Sequence, residues 1–196
     1  MSRSSEGGGR AAERIFDTAR ELFYREGTRA VGVDEIVSRA GATKPTLYRN
    51  FESKDQLIAA YLRDQADHFW GYFDQAAQAH PDDPKAQVLA YLDQLAERAD
   101  RDGYRGCGLT NAAVEYPDPG HPGRQVAVEH KQDLRGRLQD LARAAGAGNP
   151  DELADALLLL IEGVFVSSQL FGRGGPARAV RAAAEALFEA HAPDRP

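Results

Sequence analysis

Val33-Asp34-Glu35-Ile36-Val37-Ser38-Arg39-Ala40-Gly41-Ala42-Thr43-Lys44-Pro45-Thr46-Leu47-Tyr48-Arg49-Asn50-Phe51 is the stretch on which the fold turns. Val33, Ile36, Val37 and Ala40 repeat at three- and four-residue spacing, which predicts a helix of about two turns ended by Gly41. Thr43 is a capping residue, and Pro45 fits the first turn of a following helix because its missing amide has no intrahelical partner there. That helix runs to about Phe51 and turns Leu47 and Phe51 inward, leaving Lys44, Thr46, Arg49 and Asn50 outward. Helices this short are marginal alone in water and must be held by packing. The partner lies upstream, where Ile15, Phe16, Ala19, Leu22 and Phe23 give an amphipathic helix from Arg10 to Glu26 that Gly27 terminates. Two short helices on a longer one match the helix-turn-helix arrangement, whose second helix is presented to the major groove. Arg49 suits guanine edges or phosphate and Thr46 suits phosphate or a thymine methyl, while Lys44, Lys54 and the Tyr48 hydroxyl suit phosphates. An ordinary helical hairpin with a solvated face has the same spacing.

The longer run Gly41 to Leu57, which adds Glu52-Ser53-Lys54-Asp55-Gln56-Leu57, resembles the signature of the tetracycline-repressor (TetR) family of bacterial regulators, and the likeness covers about residues 10–60. The resemblance implies a recognition helix over Thr43 to Phe51, with Tyr48 and Lys54 on the DNA backbone. The expected DNA-binding set is thus Thr43, Lys44, Pro45, Thr46, Tyr48, Arg49, Asn50 and Lys54. It also implies a homodimer on a palindromic double-stranded operator, and release by a small-molecule effector, expected to be apolar or aromatic. Gly32 departs from the pattern: the family usually has threonine or serine there, so a phosphate-contacting hydroxyl is missing. A second stretch, Arg105-Gly106-Cys107-Gly108-Leu109-Thr110-Asn111-Ala112-Ala113-Val114-Glu115-Tyr116, is similar to a subgroup of the same family.

The net charge of −6 argues against a protein that coats nucleic acid through bulk charge, but its distribution is uneven. Residues 1–60 carry a net +1 and residues 61–196 a net −7, so the head approaches phosphates and the body is repelled by them. A single cysteine, Cys107, excludes intrachain disulfides and multi-cysteine metal motifs. The longest apolar run, Leu157 to Ile161, is far short of a membrane span, so no membrane partner is expected and a cytoplasmic, nucleoid-associated protein is. Residues 1–9, polar and glycine-rich, read as a disordered arm. The hydrolase, zinc-protease and phosphate-loop templates G-x-S-x-G, H-E-x-x-H and G-x-x-x-x-G-K are absent, and neither an enzyme nor a cofactor is expected.

Beyond the head, Ser53 with Gln56 opens a long fourth helix carrying Leu57, Ile58, Tyr61, Leu62, Phe69, Trp70 and Phe73 to about Pro81. Five further helices follow to about Phe188, with no alternating strand pattern, so the fold class is all-α. The expected division is 10–55 for DNA binding and 56–196 for ligand binding and dimerisation. Phe69, Trp70, Phe73, Tyr91, Thr110, Asn111, Val114, Phe165 and Gln169 form a mostly apolar candidate effector pocket, although aromatics at helical spacing also suit a plain core. The eighth helix is apolar on more than one side, so the helices near 151–171 and 176–191 are the expected dimer surface. Two rival readings stay open: a metal- or thiol-responsive regulator using Glu115, His121, His130 or Cys107, and an all-α enzyme or adaptor whose head merely folds.

Overall fold

The structure is a computed structural model that describes residues 4–192. Its described residues form nine α-helices and no strand: α1 (Ser4–Glu26), α2 (Val33–Arg39), α3 (Lys44–Asn50), α4 (Lys54–Ala79), α5 (Pro84–Ala99), α6 (Gly108–Glu115), α7 (Pro122–Ala144), α8 (Pro150–Phe171) and α9 (Val180–Ala190). A single 3-10 turn, Pro176–Ala179, precedes the last helix. The arm expected over 1–9 lies outside the described residues for 1–3, and from Ser4 onward it continues α1. Once Arg10 to Glu26 has formed a helix, each added residue needs only propagation, which even glycines tolerate for a turn or two.

The chain divides into two units, residues 1–66 with 108–128, and residues 67–107 with 129–196. This differs from the boundary expected near residue 56, because α6 and the start of α7 pack with the head. In the first unit α1 packs on both α2 and α3. Ile15, Ala19 and Leu22 of α1, Ile36 of α2 and Leu47 of α3 are fully or almost fully buried. Close approach brings in the later helices: a Cβ on Gly108 would lie 2.7 Å from the Tyr61 hydroxyl oxygen, and one on Gly123 would lie 3.0 Å from Ile58 Cγ2.

In the second unit α8 packs on α5 and α9, and α5 also packs on α9. Both long helices start from capping side chains, since Asp83 Oδ1 accepts from the Ala86 amide at 2.9 Å and Asn149 Oδ1 from the Glu152 amide at 3.3 Å. Leu153, Leu157 and Ile161 of α8 are buried against this core, but Leu159, Leu170 and Phe171 are 73%, 74% and 64% exposed. Two apolar faces on one helix explain why α8, by length and composition, is apolar enough to cross a membrane. Counting uninterrupted apolar runs misses this, because Glu162 and Gly163 interrupt a helix whose average remains apolar.

Candidate nucleic-acid interface

The turn between α2 and α3 is built by hydrogen bonds that require Gly41. The Gly41 amide donates to Ser38 O at 3.3 Å and the Ala42 amide to Val37 O at 2.9 Å, the paired bonds of a Schellman closure. Gly41 takes φ +59°, where a side chain would be strained. Thr43 then caps α3, its hydroxyl accepting from the Thr46 amide at 3.4 Å and lying 3.0 Å from the Thr46 hydroxyl. Leu47 is buried beneath the helix, and Phe51, ending it, stacks on Phe16 with ring centroids 6.5 Å apart. Lys44, Pro45, Tyr48, Arg49 and Asn50 are exposed and Thr46 is half-buried. The Asn50 amide group donates to Thr46 O at 2.7 Å, so this face is ordered from within the helix.

Two cations of the expected set already have partners. Lys44 Nζ lies 2.8 Å from Asp34 in the first turn of α2, and that bond raises the lysine's pKa. Asp34 and Glu35 also place negative charge at an α2 start whose cap, Gly32, supplies no side chain. Lys54 Nζ donates to Arg29 O at 3.5 Å, and partial burial lowers its pKa.

Glu115, at the end of α6, holds the turn between α1 and α2. Its Oε2 accepts from the buried Thr28 hydroxyl at 2.6 Å and from the Arg29 amide at 2.9 Å, and its backbone oxygen accepts from the Arg29 guanidinium at 3.3 Å. His121 stacks on Tyr116 at 3.7 Å, accepts from the Gly123 amide at 3.1 Å as the cap of α7, and places Nε2 3.4 Å from Asp55. These contacts, absent from the expected DNA-binding set, hold the turn between α1 and α2 and the first turn of α4. Nothing in sequence spacing points to them, since Glu115 and Thr28 are 87 positions apart.

In the second unit Phe69, Phe73 and Tyr91 form one ring cluster, with Phe69 to Tyr91 at 5.4 Å and Phe73 to Tyr91 at 4.9 Å. Trp70 joins it at 5.3 Å from Phe69, and His130, only 3% exposed, packs edge-on against Phe69 at 4.6 Å. Phe165 is buried under the Lys131 ammonium, 5.0 Å from its ring, and Gln169 Nε2 donates to Phe165 O at 3.2 Å. Thr110, Asn111 and Val114 fall in the first unit instead, and Val114 is 80% exposed. Glu115 and His121 therefore lie in one unit and His130 in the other, and no group of three His, Cys, Asp or Glu among the described residues is placed to hold a metal ion. Cys107 is buried with Lys131 Nζ 3.7 Å from its sulfur.

Residues 15–61 match the profile of the bacterial regulatory proteins of the tetR family, and residues 84–184 match the tetracyclin repressor-like C-terminal domain. A TetR-family transcriptional regulator from Streptomyces coelicolor has a solved structure similar to this one, with TM-score 0.85 and 30% identity over 94% of this chain and 97% of that one. The HTH-type transcriptional repressor ComR of Escherichia coli is 25% identical over 161 residues, covering 78% of this chain and 77% of that protein. The HTH-type transcriptional activator FasR of Mycolicibacterium smegmatis is 38% identical over 90 residues, and the match spans 44% of this chain and 40% of that protein. An all-α body behind an exposed, capped recognition helix defines a helix-turn-helix DNA-binding transcriptional regulator. The chain belongs to the tetR family of bacterial regulatory proteins.

Proposed function

We propose that the chain is a homodimeric repressor that occupies a near-palindromic operator and leaves it when a small molecule enters the second unit. The observation carrying this reading is the solvent face of α3, where Lys44, Tyr48, Arg49 and Asn50 stand exposed on a helix capped and braced from beneath. One such face reads only a few base pairs, so useful specificity needs two heads and a site that mirrors their symmetry. The exposed stripe Leu159, Val166, Leu170 and Phe171 on α8 is the surface a second copy would cover. Repression needs no contact beyond DNA occupancy, and ComR, similar over most of its length, is a repressor. In this reading Thr43, Pro45 and Thr46 set the recognition helix, Arg49 and Asn50 meet base edges, and Lys44, Tyr48 and Lys54 meet phosphates. The protein acts by binding, without catalysis, on the bacterial nucleoid in the cytoplasm. Selection of bound duplexes from a random pool tests it: a two-fold symmetric consensus is expected, and enrichment without symmetry or sequence would overturn it.

A further inference from the structure

The interior of the second unit holds polar atoms that its own residues leave without partners. Tyr91, Gln94 and Arg98 stand on α5 at spacings that put them within an arc of about 60°. The Tyr91 hydroxyl, Gln94 Oε1 and Arg98 Nη1 are all buried with no hydrogen-bond partner, and so are both ring nitrogens of His130. Tyr91 is fully buried and His130 nearly so. Gln94 and Arg98 are half-buried residues, but buried polar atoms in folded proteins are almost always paired, so orphans on one arc of α5 and on a histidine packed against the rings mark a place where something else belongs. The Arg98 guanidinium lies 4.0 Å from the ring centre of Tyr72 and 5.8 Å from that of Tyr91. It has no acidic partner among the described residues. The other cations nearby are matched: Lys131 by Glu162 at 2.6 Å, and Arg137, whose guanidinium lies 4.8 Å from the Phe73 ring centre, by Asp74.

We propose that this cluster takes a small organic carboxylate, its two oxygens held by Arg98 and the Tyr91 hydroxyl and its apolar part lying against Phe69 and Phe73. A planar guanidinium fork matches a carboxylate edge, and an anion removes the cost of an uncompensated cation beside rings. Burial raises the Tyr91 pKa well above its ordinary value, so the hydroxyl keeps its proton and donates it. Burial, reinforced by the Lys131 charge, lowers that of His130 to about 4, so the imidazole is neutral and offers one donor and one acceptor to the far end of the ligand. Gln94 Oε1 accepts from any hydroxyl or amide the ligand carries. The inference rests on the effector reading above and adds to it the chemical class of the effector.

Trp70, the one tryptophan, lies 5.2 Å from His130 and reports occupancy by fluorescence. Benzoate, 3-phenylpropionate and octanoate are titrated against the intact protein beside their primary amides, which keep the shape and lose the charge. At least one acid should saturate below about 1 mM and bind about tenfold or more tighter than its amide, the strength of a charge-assisted pair. Arg98→Met should erase that preference, and Arg98→Lys should keep part of it. Acids that never saturate, amides that bind as well as acids, or an Arg98→Met protein that keeps the preference would each overturn the proposal, and the wild-type acid-to-amide ratio decides even if a variant does not fold. Operator affinity measured on the same samples separates the two ideas: an acid that binds without releasing DNA sinks the effector role alone, whereas neutral ligands that bind and release DNA sink the carboxylate alone.

Discussion

Arg49 is exposed on the open face of α3, whereas Lys54 is half-buried and tied to Arg29 O. The two arginine- and lysine-to-alanine changes should therefore differ in kind. Arg49→Ala should cost about 1–3 kcal/mol on the operator and blur one position per half-site, and Lys54→Ala should weaken all duplexes alike. Competition with random DNA checks this: equal loss on both by Arg49→Ala would make it a phosphate contact. Glu115→Ala leaves the buried Thr28 hydroxyl without its acceptor, and should lower unfolding stability by about 1–3 kcal/mol. An unchanged urea midpoint would show that the clamp contributes nothing. His130 gives a pH signature. Its folded pKa of about 4 lies below the ordinary imidazole value of about 6.5, so the unfolded chain binds the extra proton between these values. Stability should fall as pH drops from about 6.5 toward 4, by at most about 3 kcal/mol, and be unaffected by this group above that window. His130→Phe should flatten the slope; a slope that persists assigns it elsewhere. Local roles such as the Gly41 turn and the Thr43 cap were legible in the sequence because their partners lie within a few residues. Glu115 was not, since its spacing offered only a metal ligand and its partners come from the other end of the first unit.

At the scale of elements, periodicity marked each helix because one apolar face leaves a three- and four-residue repeat. Where two faces are apolar the repeat fills in, and Leu157 to Ile161 mark a helix apolar on more than one side: Leu157 and Ile161 point into the core while Leu159 points out. Leu159, Gly163, Val166 and Leu170 form one stripe along α8, and the exposure of the three large side chains leaves apolar surface that a lone chain does not cover. Ala183 and Leu187 of α9, the other half of the expected dimer surface, are half-buried within the chain. A Leu159→Glu, Leu170→Glu pair should split the dimer while keeping the helical content, because neither side chain belongs to the core of its own chain. Sedimentation of the double variant as a folded dimer would place the interface elsewhere.

For the whole molecule, the sequence separated a near-neutral head from an acidic body but did not show that α6 and the start of α7 pack with the head. That division depends on approaches such as Gly123 on Ile58, which leave no periodic trace. The acidic body also sets the character of DNA binding. With net charge −6, attraction must come from a few cations on the heads, so affinity should be steeply salt-dependent rather than generally high. The most direct measurement is an anisotropy titration of the selected palindromic duplex and a scrambled one across a series of salt concentrations. Two chains should bind each palindrome, well above the scrambled duplex. If Lys44 and Lys54 of both copies neutralise four phosphates, log affinity should fall against log salt with a slope of roughly −4. A salt-independent isotherm, or equal affinity for the two duplexes, would contradict a regulator that reads DNA through α3.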